Sequence, residues 1–387
     1  MQIALVHMRH AHSGGTERYL NLLSAHLAES GHRVTVICRT HEEPSHADIQ
    51  FVVLKQATLG SASRMWRFAK AAERYLQKNP FDVVFGLGRT WTHDVVRLGG
   101  GCHQTYFELA HAATQSPVER LFRKGHLKHK WALEIERRAY APSPDRIGGA
   151  RPVIIANSDL VQRDVIARYD LDESDTRVIY NGVDNRRFHP ALRETVGAEL
   201  RASLGWTGGE KVLLFLGTGY GRKGLDLVLE AVARMATKDE ALRLLVVGYD
   251  SSKAQYEARA AELGVAERCR FLGGRRDAEV CFAAADVYVL PTRYDPFANS
   301  TLEAMASGLP TITTPTNGGC VMVADGRGGS VLSESPSAEE VAEKIQYWFL
   351  HREEGAKAAR QVAEANDAQF MVTKTRELLE NLAGRRA

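Results

Sequence analysis

The sequence has few of the features that mark several common protein classes. Its five cysteines, Cys38, Cys102, Cys269, Cys281 and Cys320, form no Cys-x-x-Cys pair and no metal-ligand spacing, which argues against a disulfide scaffold or structural zinc and for reduced thiols in a cytoplasmic protein. No apolar run is long enough to cross a bilayer, and Met1 leads directly into the apolar Ile3 to Val6, so no secretory signal is expected. The formal net charge of +3 is too small to imply nucleic-acid binding, and none is expected. Low-complexity segments and short repeats are also missing. What remains is a chain of 387 residues, 44% hydrophobic and 25% charged, the balance of a globular protein too long for one ordinary core.

Short β-rich apolar runs alternate with helix-period segments, the pattern of parallel sheets covered on both faces. One block has strands expected at Ile3 to His7, Val34 to Cys38, Phe51 to Leu54, Asp82 to Gly86 and Val153 to Asn157, with helices at Glu17 to Ser30 and Ser61 to Lys78. The second runs through Val212 to Gly217, Leu244 to Gly248, Arg270 to Leu272, Val287 to Leu290 and Thr311 to Thr314. The expected fold class is α/β, two Rossmann-like domains facing across a cleft. Residues 1–184 form the acceptor-side domain and 185–367 the donor-binding domain, with a helix at about 368–387 packing back on the first. In such sheets ligands sit at the carboxyl ends of strands, so the chemistry is expected in the loops that leave those ends.

After the first strand come Ser13, Gly14, Gly15, Thr16 and Glu17, where open backbone meets a helix start. A phosphate site and a flexible turn capped by Ser13 or Thr16 fit equally well. Gly217, Thr218, Gly219, Tyr220, Gly221, Arg222, Lys223 and Gly224 combine glycines with two cations at a helix start, which suits a diphosphate; the plain alternative is a solvated loop. Neither the dinucleotide fingerprint nor a P-loop is present. The segment from Leu290 to Pro310 places Asp295 and Glu303 around a helix start, with backbone N–H groups between them that can hold ligand oxygens while the carboxylates take hydroxyls. Read plainly, Asp295 is a turn residue and Glu303 a first-turn charge.

The run from Asp295 to Glu303 resembles the signature of the family-four retaining glycosyltransferases of the GT-B fold, two glutamates separated by seven residues. The likeness extends over Gly14 and Gly15, Asn157 and Ser158, Tyr180 to Asp184, Gly217 to Gly224 and Leu290 to Pro310. Within that family the Gly-Arg-Lys-Gly and Gly-Gly-Cys-His segments look most similar to lipopolysaccharide-core glucosyltransferases. The resemblance implies that Glu303 binds the ribose, Asp295 the transferred sugar, and Arg222 and Lys223 the diphosphate, helped by the Gly15 amide. Backbone at Phe297, Ala298, Asn299 and Ser300, together with Gly217, Thr218 and Gly219, completes the donor pocket. Gly274, Arg275 and Arg276 fall where relatives hold the nucleobase, with a solvated turn as the alternative. Thr16, Glu17 and His103 lie on the acceptor side, and His103 matches a position facing the reacting groups, although a lone histidine is more often structural.

Two departures stand out. The first signature glutamate is Asp295, and Thr218 replaces a common arginine whose charge Arg222 can supply. The implied reaction is retaining transfer of a hexose from a nucleotide diphosphate sugar, UDP-glucose or a similar UDP-hexose before GDP-mannose, to a glycan or glycolipid. Neither metal nor cofactor is expected, because cations and helix dipoles stabilise the leaving diphosphate. The one Asp-x-Asp, Asp170 to Asp172, reads as surface. An epimerase or phosphorylase of the same fold, and a non-catalytic binding module, are the rivals. Arg120, Arg123, Lys124, Lys128 and Lys130, interleaved with Leu121, Phe122, Leu127, Trp131 and Leu133, suggest a basic 120–131 helix that meets an anionic membrane surface on the inner face of the cytoplasmic membrane. A helix packed by its apolar side with lysines in solvent is the alternative.

Overall fold

The computed structural model describes all residues except 12–13, 58–59, 113–126, 144–150, 207, 325, 327 and 385–387. The chain forms two compact units, Met1–Tyr180 with Gln369–Ala387, and Asn181–Ala368. The first division falls four residues before the junction expected at 184/185. Val183 donates to the Asn366 carbonyl, and Asn185 Nδ2 to the Ala363 carbonyl and Asp367, which ties residues 181–185 to the second unit.

Unit 1 carries a parallel sheet of seven strands: β1 (Gln2–Val6), β2 (Arg33–Cys38), β3 (Gln50–Val53), β4 (Val83–Gly86), β5 (Val95–Leu98), β6 (Val153–Ala156) and β7 (Thr176–Val178). Their order is β3-β2-β1-β4-β5-β6-β7. The central strands are apolar on both faces because helices cover both; Ile3, Leu5, Val36, Phe85 and Ile155 are all fully buried. Helix α1 (Gly15–Glu29) presents Leu20, Leu23 and Leu27 to this core, and α2 (Gly60–Lys78) presents Phe68, Ala72 and Leu76. Helices α3 (His103–Ala112), α4 (Leu127–Tyr140) and α5 (Asp159–Tyr169) come next in the chain. Asp170 ends α5 as a left-handed C-cap. The last helix, Ala368–Ala383, adds buried Val372 and Leu379 to unit 1 and is fixed by Thr375 Oγ1 at 2.9 Å from Tyr19 Oη and Glu380 at 2.9 Å from His32.

Unit 2 repeats the plan with β8 (Lys211–Leu216), β9 (Leu242–Val247), β10 (Cys269–Gly273), β11 (Val287–Leu290), β12 (Thr311–Thr313) and β13 (Gly329–Val331), all parallel, in the order β10-β9-β8-β11-β12-β13. The order reverses between β8 and β11, the switch point beside which such sheets bind their ligands, at the loops that follow those two strands. Those loops carry Gly217 to Lys223 and Pro291 to Asn299. Among the described residues, three strands of the two main sheets escaped the sequence pattern, as did the short pair Arg9–His10 and Thr40–His41. β5 has Arg97 in its middle, while β7 and β13 are three residues each, Thr-Arg-Val and Gly-Ser-Val, too short for a period to show.

Candidate active site

In unit 2 the loop after β8 turns through Gly219 into a single helical turn, α6 (Tyr220–Lys223), and then through Gly224 into α7 (Leu225–Ala236). Both glycines have positive φ. At Gly224 a Cβ would also lie 2.2 Å from the Pro291 carbonyl oxygen, so this loop can approach the one after β11 only with glycine there. The Asp250 carboxylate caps the Tyr220 N–H at 2.5 Å, fixing the turn that presents Arg222 and Lys223.

The two cations converge on Asp295. Lys223 Nζ donates to Asp295 Oδ2, and Arg222 Nη1 donates to the same oxygen at 3.1 Å and to the Tyr294 carbonyl at 2.7 Å. Both members of the Lys223–Asp295 pair are buried. Burial lowers the Lys223 pKa, with Asp295 opposing it. Burial also pushes the Asp295 carboxyl up, but Lys223 and then Arg222 outweigh it and hold it below its ordinary value. Thr218 is exposed, and its carbonyl lies 3.4 Å from Arg222 Nη2.

The other Asp295 oxygen accepts the Phe297 N–H at 3.1 Å, so Asp295 is a turn residue as well as the anchor of two cations. Ala298 N–H donates to Asn317 Oδ1 at 3.0 Å. Two of the four amides expected to face a ligand, Phe297 and Ala298, are thus bonded within the protein. Asn317, fully buried, braces the loop further through Thr301 and Thr313. Helix α8 (Asn299–Ala306) has no side-chain N-cap. Asn299 accepts from Asn181 at 2.5 Å, and Ser300 Oγ lies 2.7 Å from Tyr288 Oη. Glu303, partly exposed, is the fifth residue of α8, beyond the first turn, so the reading as a first-turn dipole charge does not hold. Its charge reaches Tyr288, whose hydroxyl pKa burial raises first and Glu303 raises further.

Gly274, Arg275 and Arg276 are exposed after β10. Arg275 is paired with Asp277 at 2.6 Å, and the Arg276 carbonyl accepts from Arg187. Tyr249, 71% exposed after β9 beside Gly274, offers a ring at the same edge that the sequence pattern did not single out.

In unit 1 Gly14 is the N-cap of α1 with φ 107°, and among the described residues no side-chain cap hydrogen bond is made there; Ser13 lies outside the described residues. A Cβ on Gly14 would meet Glu17 Oε2 at 2.2 Å, so glycine lets Glu17 fold back over the helix start. Glu17 accepts from Arg9 at 3.1 Å, and its pKa is lowered, His7 being the largest cause. Thr16 and Glu17 line a cavity of about 800 Å³ that also holds Arg89, His103 and Glu136. His103 begins α3, and its N–H donates to Glu136 at 2.7 Å. Its Nδ1 lies 3.1 Å from Arg89 Nη2 and its Nε2 lies 3.0 Å from His129 Nδ1. Arginine can only donate, so Nδ1 is the acceptor and Nε2 carries the proton toward His129. Burial, then Arg89 and His129, lower the His103 pKa from 6.5 to about 4. Nothing in spacing pointed to Arg89, Glu136 or His129.

Because the folded-state pKa of His103 lies below its ordinary value, the stability it confers is complete above about pH 6.5 and is lost as pH falls toward 4. Chemical denaturation across that window is expected to show a loss that His103→Gln flattens. An unchanged slope would mean that the fold does not depress the His103 pKa.

Most of the 120–131 segment lies outside the described residues. Within α4, Lys128 and Lys130 are exposed while Trp131 packs at 5.7 Å from Trp66, the apolar-side-in arrangement. Among the described residues no helix is long and apolar enough to cross a membrane.

Comparison with known proteins gives two family models that divide the chain as its units do. Residues 13–187 match Glycosyltransferase Family 4, and residues 197–366 match Glycosyl transferases group 1. The lipopolysaccharide glucosyltransferase WaaG of Escherichia coli is 24% identical over 378 residues, 95% of each chain. A crystal structure of WaaG superposes with a TM-score of 0.80 at 22% identity, covering 97% of this chain and 99% of that one. Anabaena HepE in complex with UDP-glucose superposes with a TM-score of 0.68 at 19% identity, covering 98% and 100%.

Proposed function

Because the chain belongs to the glycosyltransferases of group 1 and family 4, with the two Rossmann-like halves of the GT-B fold, we propose that it transfers a hexose, with retention, from a UDP-linked donor to a glycan or glycolipid in lipopolysaccharide or surface-polysaccharide synthesis. The observation that carries the donor half of this reading is the pairing of Arg222 and Lys223 on Asp295 at the switch point of unit 2, beside the helix that bears Glu303. A diphosphate placed there meets two cations already held in position, and a ribose meets a carboxylate able to accept from both of its hydroxyls. UDP-glucose is favoured because HepE was crystallised with it and WaaG is named a glucosyltransferase.

In the front-face route the glycosidic bond to the diphosphate breaks as the acceptor oxygen approaches the same face of the sugar. The departing diphosphate oxygen takes the acceptor proton while Arg222 and Lys223 balance its growing charge. His103, neutral and fixed in one tautomer between Arg89 and His129, serves the acceptor side by holding Arg89 in place and not as a cationic acid. Lys128 and Lys130 are exposed and free to meet an anionic membrane surface at the inner face of the cytoplasmic membrane, while Trp131 packed on Trp66 fits the alternative of a packed helix with solvated lysines equally.

Thermal unfolding with UDP-glucose, UDP-galactose and GDP-mannose tests the donor, since a ligand that binds only the folded chain raises the melting temperature. The UDP sugars are expected to give the larger shifts, and transfer from the best of them should persist in EDTA. A shift with GDP-mannose alone would replace the donor assignment. Strict dependence on a divalent ion would remove the metal-free reading, and release of an epimerised nucleotide sugar would turn the proposal to epimerisation.

A further inference from the structure

The cavity of unit 1 is walled by cations in excess of anions. Arg9, Arg64, Arg89, Arg97 and Lys128 line it against Glu17 and Glu136. Both carboxylates are already engaged: Glu17 by Arg9 and His7, Glu136 by the His103 N–H and by the Tyr169 hydroxyl at 2.7 Å. Arg97 is deeply buried, with its guanidinium 4.0 Å over the Tyr19 ring. The Arg89 guanidinium meets Met65 Sδ at 3.5 Å and His103 Nδ1 at 3.1 Å, both neutral groups. Among the described residues no carboxylate lies within ion-pair distance of Arg89 or Arg64. The Arg89 side chain is exposed at the cavity; the surrounding protein lowers its pKa, and Glu136 offsets this in part from farther away. A guanidinium that lines a cavity with a planar fork and only neutral contacts is matched best by an oxyanion that can bind it with two parallel hydrogen bonds.

We propose that this cavity binds the acceptor through an anionic substituent, a phosphate or a carboxylate, with Arg89 as its main contact and Arg64 as the second cation of the wall. That the ligand is the acceptor rests on the glycosyltransferase reading above; the anion preference rests on unit 1 alone. The hydrogen bond from Arg89 to His103 then has two consequences. It orients the fork toward the cavity, and it sets the His103 tautomer so that the ring accepts from arginine and donates to His129.

Calorimetric titration of the full chain with glucose, its phosphate ester and glucuronate tests this, with saturating UDP present so that the unit 2 cations are occupied. At least one anionic sugar is expected to bind in the millimolar range, about tenfold or more tighter than glucose. Binding of the phosphate ester alone identifies phosphate as the group, and binding of glucuronate alone identifies carboxylate. Arg89→Met should erase the preference, Arg89→Lys should keep part of it, and both variants should melt and bind UDP as the parent does. Equal binding of glucose and the anionic sugars, no binding of either anion, or a preference unchanged in Arg89→Met would each overturn the proposal. Should UDP itself fail to bind while the Arg89-dependent preference appears, the donor assignment falls and the anion site stands.

Discussion

Lys223→Ala is expected to lower transfer about a hundred- to a thousandfold, the loss typical of removing one charge-stabilising donor from a leaving group. The reason lies in where Lys223 sits. Its ammonium is buried and already ion-paired, so it does not have to be ordered or stripped of water when charge builds on the diphosphate. The fold should tolerate the change, because Asp295 keeps Arg222 at 3.1 Å and the Phe297 amide. Single-turnover transfer at saturating donor, with the melting temperature as a control, measures this. A variant that melts normally and transfers within a few-fold of the parent would remove Lys223 from the chemistry.

Asp295→Ala should act differently, by destabilising unit 2 as well as stopping transfer. Removing one partner of a buried pair leaves the other charge uncompensated, which costs roughly 3 to 5 kcal/mol. Saturating UDP should restore part of that stability, since the diphosphate supplies a counter-charge to Lys223 and Arg222. The double variant Asp295→Leu with Lys223→Met, which removes both charges, should recover most of the stability but none of the transfer. Denaturant melts of the three proteins decide the matter. If Asp295→Ala is as stable as the parent, the pair does not hold the loop, and Asp295 reverts to the role that resemblance alone assigns it, a contact to the transferred sugar.

That contrast shows how far the sequence could be read. The alternation of strands and helices located ten of the thirteen main-sheet strands, because buried parallel strands are nearly continuous apolar runs; β5, β7 and β13 were lost to a buried arginine and to brevity. Glycines at loops after strands were read as open backbone for a ligand; what the fold requires at Gly224 is close approach to the Pro291 carbonyl, a contact within the protein. Side-chain pairing was not legible. Lys223 and Asp295 stand 72 residues apart, and a composition of Gly, Arg, Lys in one loop and Asp in another does not say that the charges meet. The same limit hid Asn317, whose amide binds the Ala298 N–H across 19 residues, and the line from Arg89 through His103 to His129. Those contacts depend on which loops the strand order brings together, and that order appears only once the sheet is formed.

The central claim is that unit 2 holds a nucleotide diphosphate with Glu303 on the ribose and Lys223 on the diphosphate. Titrating UDP and uridine into the parent, Lys223→Ala and Glu303→Ala tests it most directly, because uridine carries the ribose and base without the phosphates. Lys223→Ala should weaken UDP about ten- to a hundredfold and leave uridine unchanged, whereas Glu303→Ala should weaken both by about tenfold or more. Uridine binding that survives Glu303→Ala, together with UDP binding that survives Lys223→Ala, would contradict the account.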